Sequence, residues 1–256
     1  MRRGMVSLAI LAAMPVAAAS AADMPLKAPP VPPVPYVGYN WTGFYIGGEF
    51  GVGWASEQST VLTQTSPTSA FPPGFVASPV NLSGILGGFY GGYNYQINQF
   101  LVGIDADYTW ADLTGTQSDL SPIPGNGAVS HHNDQMNWVS TVTGRLGYLN
   151  NNWLFFAKGG GAWGGFYGSS NTYSGAGALS NTSFGSTNRD GWTAGGGLEW
   201  GFAAHWSAKL EYDYVNFDTI THTLTETNAA TGAVGYPARS TTSYLNMVKG
   251  GVAYRF

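Results

Sequence analysis

The chain of 256 residues has no cysteine. Disulfides, thiol catalysis and cysteine-based metal centres are therefore excluded. Charge is also scarce: 9% of residues are Asp, Glu, Lys or Arg, against roughly a quarter in an ordinary soluble domain. A formal net charge of −4 provides no basic footprint, so nucleic acid is not a natural partner. No apolar run approaches the roughly 20 residues of a membrane-crossing helix, and no amphipathic helix of useful length follows the N-terminus. Glycine (37 residues) and aromatic side chains (14%) are abundant instead. So aromatic a chain does not read as disordered.

The first residues point to export. Arg2 and Arg3 precede an apolar run from Met5 to Ala13, which gives way to VAAASAAD. A charged start, a short apolar core and an A-x-A end make a secretory signal. We expect residues 1–22 to be that signal, with cleavage at Ala19 to Ala21. The proline-rich stretch 23–40, DMPLKAPPVPPVPYVGYN, cannot form a helix or a central strand. It reads as a semi-rigid periplasmic linker. Residues 41–256 remain as one domain.

That domain alternates. In WSAKLEYDYVNF, Trp206, Ala208, Leu210, Tyr212 and Tyr214 fall on one face of a strand, and Ser207, Lys209, Glu211 and Asp213 on the other. Eight such segments occur, at 44–54, 85–95, 100–110, 138–148, 153–167, 192–202, 206–216 and 244–256. Most have about 11 residues, the length of a tilted strand crossing a bilayer. Short polar turns at 96–99, 149–152 and 203–205 alternate with long Ser/Thr/Asn/Gly-rich connections at 55–84, 111–137, 168–191 and 217–243. Short periplasmic turns and long extracellular loops are the asymmetry of a bacterial outer-membrane barrel.

The two faces decide what lies inside. One carries 24 of the 37 aromatic residues and no charge. Its rings cluster at strand ends, Trp54, Trp110, Trp138, Trp192 and Tyr244 beside the long loops, and Phe44, Tyr95, Phe100, Tyr148, Trp153, Phe202, Trp206 and Phe256 beside the turns. Aromatic girdles of this kind mark both membrane interfaces. The other face carries Glu49, Asp105, Asp107, Arg145, Lys158, Glu199, Lys209, Glu211, Asp213, Lys249 and Arg255 among glycines. An eight-stranded barrel has an interior just wide enough to be filled by side chains, too narrow for so many rings. The aromatic face must point to lipid, and the charges must line the lumen. In hydrocarbon the sheet must also close, because an open edge leaves backbone groups unsatisfied. The expected fold is therefore all-β: an eight-stranded, antiparallel, up-and-down transmembrane barrel.

No motif argues for catalysis or a cofactor. GGGAWG, at 159–164, matches G-x-G-x-x-G but sits within a strand, whereas a dinucleotide site needs a strand before it and a helix after it. SHHND places His131, His132 and Asp134 in a polar loop, where solvated side chains are the plainer reading than a metal site. His205 and His222 have no obvious partner in the sequence. No G-x-S-x-G elbow occurs. We expect no catalytic, cofactor-binding or metal-binding residues, and no enzyme.

The stretch YNWTGFYIGGEFGVGW, at 39–54, resembles the opening strand of the small outer-membrane barrels of alphaproteobacteria known as porin-family or outer-membrane immunogenic proteins, related more broadly to OmpA-type barrels. GGYNYQINQFLVGIDADYTW, GRLGY, GGGLEWGF, WSAKLEYDYVNF and the ending MVKGGVAYRF extend the likeness over all eight strands and the proline-rich leader. Lys158 departs from the pattern, which usually has a small polar residue there. The resemblance implies a Gram-negative outer-membrane location, a structural or surface-antigen role, and a terminal aromatic, Phe256, read by barrel-assembly machinery. Expected partners are outer-membrane lipid and lipopolysaccharide, that machinery, and host or surface ligands reached through the loops. The lumen charges are expected to pair and plug the barrel, with Asp213 near Lys249, Lys209 near Glu199 and Arg145 near Asp105. The alternative is a narrow, porin-like channel for small solutes.

Overall fold

The computed structural model describes residues 39–63 and 70–256. The expected signal and residues 23–38 of the linker lie outside them. The strands are β1 (Gly43–Val61), β2 (Val80–Ile97), β3 (Phe100–Leu120), β4 (Val129–Asn150), β5 (Trp153–Tyr173), β6 (Leu179–Ala203), β7 (Trp206–Thr223), β8 (Thr225–Asn228), β9 (Val234–Gly235) and β10 (Ala238–Arg255). Each of β1 to β7 pairs antiparallel with the next, and β10 closes the ring between β7 and β1. The wall is a closed barrel of eight strands. The short β8 and β9 form a flap against the end of β6, inside the last long connection.

At one end the turns are tight. Asn98 and Asn151 each adopt φ 55°, the left-handed region that asparagine tolerates better than most residues. The other end corrects the sequence reading. β3 continues ten residues past Trp110, and β4 begins at Val129, so most of the connection expected at 111–137 is paired strand. β5 and β6 likewise run through most of 168–191. Above the girdle the outer face meets water instead of lipid, so apolar alternation fades while the backbone ladder continues. A bulge in β4 between Met136 and Trp138 also shifts the side-chain phase of that strand.

The faces are as expected. None of the 24 outward aromatics is buried; Phe44 is 66% exposed and Phe100 63%. Tyr45, Tyr90, Phe156 and Phe166 point inward and are buried. No charged side chain lies outward between the girdles. Polar groups in that band find local partners: Ser140 Oγ donates to the Asp107 carbonyl at 2.8 Å, and Tyr212 OH donates to Asn246 Oδ1 at 2.6 Å. In hydrocarbon such groups have no water to turn to. Inward glycines make the tight curvature possible. A Cβ on Gly51 would lie 2.1 Å from the Val248 carbonyl oxygen, and one on Gly160 2.0 Å from that of Val142.

Candidate functional site in the barrel interior

The interior is stacked in four tiers. At the turn end, Tyr39 and Trp41, just ahead of β1, pack with Leu101, Leu149, Leu154 and Phe156. Trp41 is fully buried, and Arg255 Nη1 donates to its carbonyl at 2.7 Å. The base of the barrel is therefore closed by the chain's own entry segment.

The second tier holds the eleven charged residues read from the sequence, and all are buried. Lys249 is at its centre, with Nζ 3.0 Å from Glu49, 3.2 Å from Glu211, 3.2 Å from Asp213 and 3.7 Å from Asp107. Lys209 lies 2.9 Å from both Glu49 and Glu211, with its ammonium 3.4 Å from the centre of the Tyr90 ring. Lys158 reaches Asp213 at 3.1 Å, Glu211 at 3.3 Å, Asp107 at 3.9 Å and Asp105 at 4.0 Å. Hydroxyls complete the coordination: Thr109 donates to Glu49, Thr141 to Asp107 and Tyr45 to Asp105. Below this, Glu199 takes Arg145 at 2.5 Å, Arg255 at 3.6 Å and Ser207 at 2.6 Å.

One expected pair forms and two do not. Asp213 meets Lys249, but Lys209 turns from Glu199 to Glu49, and Arg145 turns from Asp105 to Glu199. The register supplies the reason. Arg145 lies directly opposite Lys158, and like charges side by side repel. The two diverge, Lys158 into the acidic centre and Arg145 toward Glu199, where Phe156 lies 3.7 Å from its guanidinium carbon.

The third tier is apolar. Leu86, Leu113, Met136, Val139, Phe217 and Met247 form one buried cluster across the lumen. Above it the extended strands enclose a fourth tier, a polar chamber that the sequence reading assigned to loops. Arg189 pairs with Glu57 at 2.7 Å, and His132 Nε2 lies 3.4 Å from Asp119. Burial lowers His132 and His222 to about 4 and raises Asp134 to about 7, the nearby Glu57 adding to the last. At neutral pH both histidines are uncharged. Phe71, in the connection from β1 to β2, is buried at this end. The signal for the chamber was present in the sequence as inward-phased Glu57, Asp119 and Arg189. It lay beyond the girdle, where alternation no longer marks a strand.

Among the described residues the cations are confined to the interior. The seven Lys and Arg of the described residues lie in paired strands, six of them buried and Arg239 partly so. Arg239 is bonded on both sides, opposite Val61 and His222. Trypsin needs an accessible, unpaired segment, so it should leave residues 39–255 of the folded protein intact and digest them after heat denaturation. Gel analysis with mass spectrometry checks this; internal cleavage of the folded form would overturn the assignment of the cations to the interior.

Similarity to known proteins agrees with this architecture. Residues 9–256 match the model of the outer membrane protein beta-barrel domain family. The chain is 30% identical over 214 residues to the 31 kDa outer-membrane immunogenic proteins of Brucella melitensis and Brucella suis, covering 82% of this chain and 86% of each relative. Among solved structures, it is similar to the outer membrane protein OprG of Pseudomonas aeruginosa, with 10% identity, a TM-score of 0.48, and coverage of 86% of this chain and 99% of that one. With a closed eight-stranded wall, a charge-free aromatic belt and a family match along nearly its whole length, the chain belongs to the outer membrane protein beta-barrel domain family and resides in the Gram-negative outer membrane.

Proposed function

We propose that this protein is a closed barrel with a structural and surface-interaction role, antigen-like in what it presents to the exterior, and not an enzyme. The observation that carries the reading is the pair of stacked tiers across the lumen. Lys249, Leu113, Met136 and Phe217 are each 0% exposed. An ion crossing the barrel would have to displace a buried ionic network and then pass a dry apolar layer, which costs far more than moving along a wet, charged wall. Interaction then falls to the extracellular extensions of the strands and the connections between them. The name of the Brucella relatives, an immunogenic protein, is in keeping with such exposure. Outer-membrane lipid and lipopolysaccharide surround the aromatic belt. Phe256, 73% exposed at the end of β10, is the residue we assign as the signal read by barrel-assembly machinery.

Planar-bilayer recording tests the closed lumen. The wild-type protein is expected to insert without stable conductance steps. Reproducible, long-lived steps would replace this reading with the narrow-channel one.

A further inference from the structure

We propose that the extracellular chamber is a binding site for a small oxyanion, a carboxylate or a phosphate, held between Arg189 and Arg239. This goes beyond the closed-barrel reading and concerns a different part of the interior.

The floor of the chamber is the apolar tier, with Phe166 beneath Arg189, ring centre to guanidinium carbon 4.2 Å. A cavity of about 50 Å³ lies there, lined by both arginines, His222 and Asp134. Arg239 also lines a recess nearer the mouth, and Thr172, Asn181 and Glu226 join that recess to an open cleft of about 720 Å³. Arg239 therefore lies between the open cleft and Arg189, with Glu226 lining the way in.

Two guanidinium donors of the chamber, as well as Asp119 Oδ2 and His222 Nδ1, are buried without a hydrogen-bond partner. Arg189 is 2% exposed, and its Nη1 has no hydrogen-bond partner although its Nη2 holds Glu57 at 2.7 Å. Arg239 Nε is likewise buried without a partner, and among the described residues no carboxylate lies within ion-pair distance of that side chain. The nearby acids are Glu226, which faces Arg239, and Glu57, Asp119 and Asp134. Glu57 has Arg189, and Asp119 accepts the Ser78 N–H at 3.0 Å while facing His132. Asp134, raised to about 7, is about half protonated at neutral pH and does not repel an anion fully. Native structures rarely leave buried donors unpaired, and a guanidinium offers a planar fork matched to the oxygens of a carboxylate or phosphate. The complement of two unfilled guanidinium donors in a narrow pocket is an oxyanion.

The test uses the full-length protein refolded in an uncharged detergent and titrated by calorimetry with sodium acetate in one arm and inorganic phosphate in the other. Saturable binding is expected in at least one arm, and the stronger arm identifies the class. Arg239→Gln should weaken it by about tenfold or more, the loss of one charge-assisted contact. Glu57→Gln combined with Arg189→Gln removes the buried ion pair as a unit and should weaken it similarly. Heat-modifiable gel mobility confirms that both variants fold. Failure of the wild type to saturate with either anion overturns the proposal, as does unchanged affinity in two folded variants. Conductance does not enter, so a conducting lumen would sink the closed-barrel reading without touching this one.

Discussion

Leu210→Arg is expected to prevent stable folding of the barrel into lipid, while Glu211→Gln, one residue further, is expected to fold close to wild type. Leu210 is 52% exposed on the lipid face, near the middle of the membrane-crossing part of β7 at 206–216, and Glu211 is 3% exposed in the lumen. An arginine at the bilayer midplane on the lipid face of a barrel costs about 2–4 kcal/mol, a large share of the roughly 5–15 kcal/mol by which a folded protein is stable. No outward acid lies between the girdles to pair with it. Glu211 gains its tolerance from the charge balance around it. Five carboxylates, Glu49, Asp105, Asp107, Glu211 and Asp213, face three ammonium groups, Lys158, Lys209 and Lys249. Gln keeps the shape and hydrogen-bonding capacity of Glu while moving that excess of acid toward balance. Refolding into bilayers, read by the heat-dependent shift in gel mobility, checks both. Equal behaviour of the two variants would contradict the facing of β7.

The membrane-spanning part was legible because lipid and lumen impose opposite chemistries on alternate residues. Trp206 to Asp213 display this in eight letters, and each of the eleven lumen charges read that way is buried. Legibility ended where the constraint ended. Past Trp110 and Trp138 the outer face is wet, so Thr114, Thr116, Asn133 and Gln135 look like loop although they sit in paired strands. Glu57, Asp119 and Arg189 went unread for the same reason, and with them the upper chamber. The partners of the lumen charges were beyond reach for a different cause. Strand neighbours can be counted from turns, which places Lys209 opposite Glu199. In so narrow a barrel, long side chains also cross the lumen, and Lys209 meets Glu49 from β1. That choice depends on the stagger of the closed ring and on Arg145 and Lys158 pushing apart.

Replacing Lys249 with Met should destabilise the barrel more than any other single change in the charged tier, and Asp213→Leu should recover part of the loss. Lys249 Nζ lies within 3.7 Å of four carboxylates and is fully buried. Its removal leaves five acids facing two ammonium groups, Lys158 and Lys209. Breaking a buried ionic network by deleting one partner typically costs about 3–5 kcal/mol, because the remaining charges stay desolvated and uncompensated. Met nearly matches Lys in length, so the loss would come from charge rather than from a cavity. Asp213→Leu then removes one of the stranded carboxylates, and the apolar pair can join the cluster above through Val215 and Met247. Lys158 loses its 3.1 Å partner in that variant but keeps Glu211 at 3.3 Å, so recovery should be partial. Urea unfolding in lipid of the wild type, both single variants and the double variant completes a cycle whose coupling should exceed about 1 kcal/mol, since contacting charges in one network are not additive. Bilayer recording on the same proteins gives a second readout. Lys249→Met should admit water and produce flickering current, and the double variant should be quieter. A wild type that already conducts steadily, together with a coupling energy near zero, would mean that the charged tier lines a pore instead of filling one.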